Sequence, residues 1–198
     1  FDLDAIEFQV VPSTPDAGQI LAAYFRTDVD LDAILTSLLA RDDPFAEAAR
    51  RFPGLRVLAQ APIETLLTFI CSGANNIIRI TKSINRLCRA YGAPIARIGD
   101  ETFHDFPTLE RLAAAEPLEL RFAADLGFRA KALRGTARRL LELGPAWPEQ
   151  VRSAPFEAAQ AALLTLPGVG LKIADCALLF GFGHDEAVPV DTHIRAAV

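Results

Sequence analysis

Two charged residues follow a glycine-bracketed turn: Lys172 just after it in "LPGVGLKIADC", and Asp191 at the end of the next loop in "AVPVDTH". A neutral lysine amine is a nucleophile, and its attack on the anomeric carbon of a nucleoside would expel the base and leave a Schiff base. A carboxylate held near the departing base would stabilise the oxocarbenium-like charge on the sugar. Asp191 follows Pro189 and precedes a helical pattern, so its plainer role is a helix N-cap contributing about 1 kcal/mol. One residue can do both.

These charges need an element that holds them. In "LPGVGLKIAD" a helix ending near Thr165 meets Pro167, Gly168 and Gly170, which permit a tight turn, and a new helix starts at once. The first amides of that helix lack intrahelical partners, so the backbone at Gly168, Gly170 and Lys172 can donate hydrogen bonds to a DNA phosphate. Such a grip reads no sequence. The alternative is a helix-turn-helix corner with no ligand.

From Pro15 onward apolar residues recur at spacings of three and four, which makes the chain mainly α. Helices are expected near 16–26, 30–40, 43–52, 62–73, 76–91, 108–115, 129–143, 155–165, 171–181 and from 191 onward. The one strand expected is "IEFQVV", Ile6–Val11, whose ladder partners would precede residue 1. The Pro-Gly break in "RFPGLRV" divides residues 1–55, the remnant of an N-terminal α+β domain, from a helical body over 56–198.

A net charge of −5 argues against a polyanionic partner, but its distribution does not. In the helix over 76–91, Arg79, Lys82, Arg86 and Arg89 lie opposite an apolar stripe of Ile77, Ile80, Ile84, Cys88 and Tyr91. A second run places Arg129, Lys131, Arg134, Arg138 and Arg139 together. Either stripe can equally be a solvated face. No apolar run approaches the roughly 20 residues of a membrane span. Three scattered cysteines, Cys71, Cys88 and Cys176, suit reduced thiols and lack the grouping of a zinc or iron-sulfur site. The expectation is a cytoplasmic, DNA-associated monomer with no membrane attachment, nuclear if its source has a nucleus. The chain starts at Phe1, contains no methionine and stops within a helical pattern, so a fragment is expected.

With the hairpin and the aspartate in view, the chain resembles the helix-hairpin-helix base-excision DNA glycosylases. "FICSGANNIIRI", "FHDFP", "LGFRAKAL", "LPGVGLKIADC" and "AVPVDTH" are similar in order and spacing to the 8-oxoguanine DNA glycosylase family. The resemblance covers nearly the whole chain. It implies the helix-hairpin-helix glycosylase fold, damaged double-stranded DNA as partner, and excision of 8-oxoguanine with apurinic-site lyase activity. Lys172 would be the nucleophile and Asp191 the assisting carboxylate. Cys176, one turn beyond Lys172, would lie against the flipped base, although a small buried core residue is the commoner fate of cysteine. His193 would touch a phosphate or stand on the surface. The carbonyls of Leu164, Leu166 and Val169 would hold a structural monovalent or divalent cation, with no other cofactor.

Base flipping leaves a gap in the stack and a widowed partner base. By the resemblance, Phe128 would fill the gap where the family carries tyrosine, and Arg79 and Arg129 would read the cytosine edge. The family's three consecutive asparagines are here Ala74, Asn75 and Asn76. The first contact to cytosine is therefore missing, and a good base-specific pair contributes roughly 1–3 kcal/mol of discrimination. The family's pocket walls beyond residue 198 and before residue 1 cannot be assigned, so the chain alone is expected to be deficient in activity. Two other readings stay open: a glycosylase of the same superfamily for another damaged base, and a non-catalytic helix-hairpin-helix DNA-binding protein.

Overall fold

The computed structural model describes residues 7–41 and 44–197, leaving aside the side chains of Thr192, His193 and Ala197. The chain divides into two compact units, Phe1–Ala59 and Gln60–Val198. The smaller unit holds α1 (Ala17–Tyr24), α2 (Leu31–Leu39) and α3 (Pro44–Arg51), with α2 packed on α3. The Asp30 carboxylate accepts the Ala33 N–H at 2.9 Å and so caps α2. Arg56 donates to the carbonyls of Arg26 (2.9 Å) and Val29 (3.1 Å), tying the segment after the Pro-Gly break to the α1–α2 connection.

The strand expected over Ile6–Val11 is not formed over residues 7–11. Ile6 lies outside the described residues. A β-rich composition gives a strand only when a second strand takes its ladder groups, and among the described residues none pairs with this segment.

The larger unit contains α4 (Pro62–Ser72), α5 (Ile77–Tyr91), β1 (Pro94–Ile98), β2 (Glu101–His104), α6 (Leu109–Ala114), α7 (Pro117–Ala123) and α8 (Arg129–Leu143). There follow α9 (Trp147–Ser153), α10 (Phe156–Leu164), α11 (Leu171–Ala177), a π-helical turn (Leu178–Phe182) and α12 (Thr192–Ala197). Helix α4 is central. Proline opens its first turn, where no amide bond is lost, and Leu66, Leu67, Ile70 and Cys71 are buried at the spacings of one helical face. It packs against α8, α11 and the π-helical turn.

Five elements depart from the expected pattern. Strands β1 and β2 pair antiparallel around Gly99 and Asp100, with Gly99 at φ +59°. Almost every residue of this hairpin is exposed, so no apolar alternation marks it in the sequence. Helices α7 and α9 are seven residues each, too short for a periodic signal; a proline followed by glutamate in the first turn is their only mark. The helix expected over 171–181 is α-helical only to Ala177 and then widens into the π-helical turn.

The apolar stripe expected on α5 is also displaced. Ser83 and Leu87 are the buried residues, Ile80, Ile84, Cys88 and Tyr91 are half-buried, and Ile77 is 81% exposed. The first turn of α5 stands clear of the body, so spacing alone overestimated how far the buried face extends.

The turn between α10 and α11 is seated on α8. Gly168 lies at φ +77°, and a Cβ there would fall 2.4 Å from the Ala132 Cβ. The buried Thr136 hydroxyl donates to the Pro167 carbonyl at 2.7 Å. A Gly168→Ala substitution combines left-handed backbone strain with overpacking, and a loss of roughly 2–5 kcal/mol is expected. Gly170 has φ −103° and open space where its Cβ would lie, so Gly170→Ala should change stability by no more than about 1 kcal/mol. Urea denaturation of the two variants tests the difference; equal stabilities would show that the turn is not pressed onto α8.

Candidate active site

Helix α11 begins at the N-cap Gly170, placing Lys172 in its first turn on the wall of a cleft of about 630 Å³. Gly73, Gly170, Asp175, Val190 and Arg195 line the same cleft. The Lys172 ammonium lies over the face of Phe69, 5.2 Å from the ring centroid. At that range the ring quadrupole attracts a cation. Phe69 in turn stacks with Phe180 of the π-helical turn, centroids 6.0 Å apart and planes 23° from parallel. The π-helical turn thus supplies the second ring of an aromatic floor under the lysine.

Cys176 follows Lys172 by one turn and is 4% exposed. Burial pushes its thiol up, and Lys172 opposes that shift through its charge and a hydrogen bond. Asp175 and Asp191 push the thiol up as well. Cys176 therefore senses the charges of both Lys172 and Asp191. Asp175 is braced by Gln160 of α10, whose amide donates to the carboxylate at 2.6 Å across the hairpin.

Asp191 does cap α12: its carboxylate accepts the Ile194 N–H at 2.9 Å. That bond fixes the carboxylate at the end of the loop whose Val190 lines the lysine's cleft. The side chain of His193 lies outside the described residues.

A second group of residues meets at the Gly73–Asn76 loop. The side chain of Asn76 caps α5 by accepting the Arg79 N–H at 3.0 Å, and the side-chain oxygen Oδ1 of Asn75 accepts the Asn76 N–H at 3.1 Å. The Arg129 guanidinium donates to the Gly73 carbonyl through two nitrogens, Nε at 2.6 Å, and to the Ala74 carbonyl at 3.1 Å. Its neighbour Phe128 is 74% exposed, with the Arg129 guanidinium 4.6 Å from its ring centroid. Gly73 belongs to both groups, lining the lysine's cleft and accepting from Arg129.

The two basic stripes separate on inspection. Arg134 and Arg138 donate to the Ala113 carbonyl at the end of α6, and Arg139 pairs with Glu142 at 2.8 Å. Arg86 and Arg89 face Asp125 and Glu101 at 3.8 and 3.2 Å. Arg79, Lys82 and Lys131 are exposed and have no ion-pair partner among the described residues. Sequence reasoning missed Phe69, Phe180 and Gly73. Their roles come from contacts between residues far apart in the chain, and no local spacing marks them.

Residues 8–66 match the family model described as the 8-oxoguanine DNA glycosylase N-terminal domain. Residues 67–198 match that of the HhH-GPD superfamily base excision DNA repair proteins. An N-glycosylase/DNA lyase of Arabidopsis thaliana is 38% identical over 196 residues, covering 96% of this chain and 53% of the relative. One from Saccharomyces cerevisiae is 38% identical over 185 residues, covering 88% and 48%. The chain thus spans about half the length of these curated relatives. Among solved structures, it is similar to the Clostridium acetobutylicum 8-oxoguanine glycosylase/lyase bound to double-stranded DNA with cytosine opposite 8-oxoguanine. The TM-score is 0.83 at 30% identity, covering 92% of this chain and 61% of that one. A 3-methyladenine DNA-glycosylase from Archaeoglobus fulgidus shares the fold at TM-score 0.68 and 16% identity.

Ala74 lies at φ +50°, a conformation that costs a residue with a Cβ about 1–2 kcal/mol. Ala74→Gly should therefore stabilise the chain, by roughly 0.5–1 kcal/mol once the glycine's greater unfolded-state entropy is counted. Chemical denaturation reads this directly, and a destabilised variant would contradict it. Burial of Cys71 pushes its thiol from the ordinary 9.0 to about 12. Its contribution to stability is whole below pH 9 and is lost as pH rises towards about 12. The melting temperature should fall over that window, and fall less in Cys71→Ala; equal slopes would exclude Cys71 as the cause.

Proposed function

Because the chain belongs to the HhH-GPD superfamily of base excision DNA repair proteins, we propose that its parent protein is an N-glycosylase/DNA lyase excising 8-oxoguanine from duplex DNA. The observation that carries this reading is Lys172, held over Phe69 and against the buried Cys176 on the wall of an open cleft. A nucleotide flipped into that cleft presents C1′ to the amine. Attack there expels the base, and loss of the amine proton with opening of the sugar ring gives a Schiff base between Nζ and C1′. β-Elimination from that imine would break the 3′ phosphate bond, which is the lyase step. Asp191, fixed by its cap bond, supplies negative charge as the base departs. Cys176 remains a neutral thiol, the form suited to packing against a base.

The exposed loop and wedge serve recognition in this proposal. Phe128 fills the vacated stack, while Arg79 and Arg129 face the widowed base alongside Asn75 and Asn76. Gly168 shapes the turn, and the amides following Gly170 face the phosphate backbone, with His193 a further contact. A cation on the carbonyls of Leu164, Leu166 and Val169 belongs to the same proposal. The Leu166 carbonyl accepts the Val169 N–H at 3.2 Å and a carbonyl oxygen has a second lone pair, so the turn is compatible with an ion. The proposal carries no iron-sulfur cluster, because Cys71, Cys88 and Cys176 lack the close grouping in sequence that such a cluster requires. Among the described residues no helix is long and apolar enough to cross a membrane. The protein would act as a monomer wherever the cell keeps its DNA.

Borohydride trapping tests the chemistry. The full-length parent should form a covalent adduct with duplex DNA containing 8-oxoguanine, and Lys172→Gln should abolish it. Binding without an adduct would instead support a non-catalytic DNA-binding protein, and an adduct only with another damaged base would support a different glycosylase. Opposite-base preference gives a second test. With alanine at position 74, the preference for cytosine should be about 5- to 150-fold shallower than in Ala74→Asn. Equal preferences in the two proteins would show that this position reads no base.

A further inference from the structure

Two large apolar side chains in the first turn of α5 have no role in the reading above. Ile77 is 81% exposed and Ile78 69% exposed, each more open to water than an isoleucine in a helical body normally is. They follow the cap Asn76 directly and precede Arg79. The loop carrying them is pinned through the Gly73 and Ala74 carbonyls to Arg129, whose neighbour Phe128 is the third exposed apolar side chain of this region. Helical spacing puts Ile78 on the same face as Lys82 and beside Arg79. Arg79 and Lys82 have no ion-pair partner among the described residues. The patch is therefore apolar at its tip and positively charged along its flank.

That combination suits one occupant. A polyanion with apolar faces exposed at an opened step satisfies both halves, and a kinked DNA duplex is such a ligand: phosphates meet the cations and an unstacked base meets the apolar tip. We propose that Ile77 and Ile78 form a second wedge, inserted into or against the base stack beside the step that Phe128 opens. The pair would then help to hold the duplex bent. The inference rests on the DNA-binding part of the proposed function but requires no excision by Lys172.

Affinity of the full chain is measured on a duplex carrying a tetrahydrofuran abasic analogue opposite cytosine, with 2-aminopurine as the neighbouring base. This DNA cannot be excised, so the measurement is independent of the lysine chemistry. Each of Ile77→Ala and Ile78→Ala should weaken binding about 3- to 30-fold, judging by the apolar surface lost to the contact. Each should also lower the 2-aminopurine emission that reports unstacking, with the slope of affinity against salt unchanged. Lys82→Ala should instead reduce that slope by about one. Both isoleucines are exposed, so thermal melting of the variants should match the parent. A double Ile77→Ala, Ile78→Ala variant that keeps affinity within twofold and full 2-aminopurine emission would overturn the proposal, as would a full chain that does not bind this duplex. Loss of trapping in the enzyme assay with isoleucine-dependent binding intact would sink the catalytic reading and leave this one standing.

Discussion

The close approach of the α10–α11 turn to α8 sets the position of everything around Lys172. Gly168 leaves no room for a methyl group beside Ala132, and Thr136 holds the Pro167 carbonyl from beneath. A turn pressed this tightly onto a helix cannot slide, and interiors at this density pass small displacements on to their neighbours. Lys172 comes four residues later, so its backbone inherits the precision of that contact. Gln160 repeats the idea from the other side by gripping Asp175 across the hairpin. The backbone that carries the lysine is thus placed by helix packing, and Phe69 and Cys176 meet the amine at the end of its flexible side chain.

A second constraint joins the chemistry to recognition. The Gly73 carbonyl faces Arg129, and the same residue lines the cleft of Lys172. The arginine adjoining the exposed Phe128 is therefore held by backbone atoms at the edge of the cleft. Most other cations of the two basic stripes serve the protein itself. Arg134 and Arg138 close the end of α6, and Arg86, Arg89 and Arg139 pair with acids. The stripe pattern overstated the basic surface because spacing cannot tell a cation that faces solvent from one spent on a carbonyl.

How legible the site was depended on the reach of each interaction. The hairpin, its lysine and the capping aspartate are set by nearest neighbours, and glycine, proline and acid at fixed offsets announce them. The long amphipathic helices α4, α5 and α8 were legible for the same reason. Phe69 and Phe180 were not, because their stacking joins residues more than a hundred positions apart. The β1–β2 hairpin was silent because both its faces meet water. The strand expected at residues 6–11 is not formed over residues 7–11 for the opposite reason: local composition favours it, but a strand is stable only as half of a pair.

The π-helical turn carries a consequence of its own. It places Phe180 on Phe69 and, two residues later, Phe182 edge-on to Trp147 with ring centroids 5.9 Å apart. Gly183, at φ +78°, then ends the helix while the His184 N–H closes back on the Leu178 carbonyl at 3.0 Å. A π-helical turn behaves as an α-helix with one residue inserted. It is thus a phase offset written into the chain: the same rings on a regular helix would face different neighbours. Sequence length in this short stretch is as much a part of the lysine's surroundings as sequence identity, and a single-residue deletion there would be felt more widely than most substitutions.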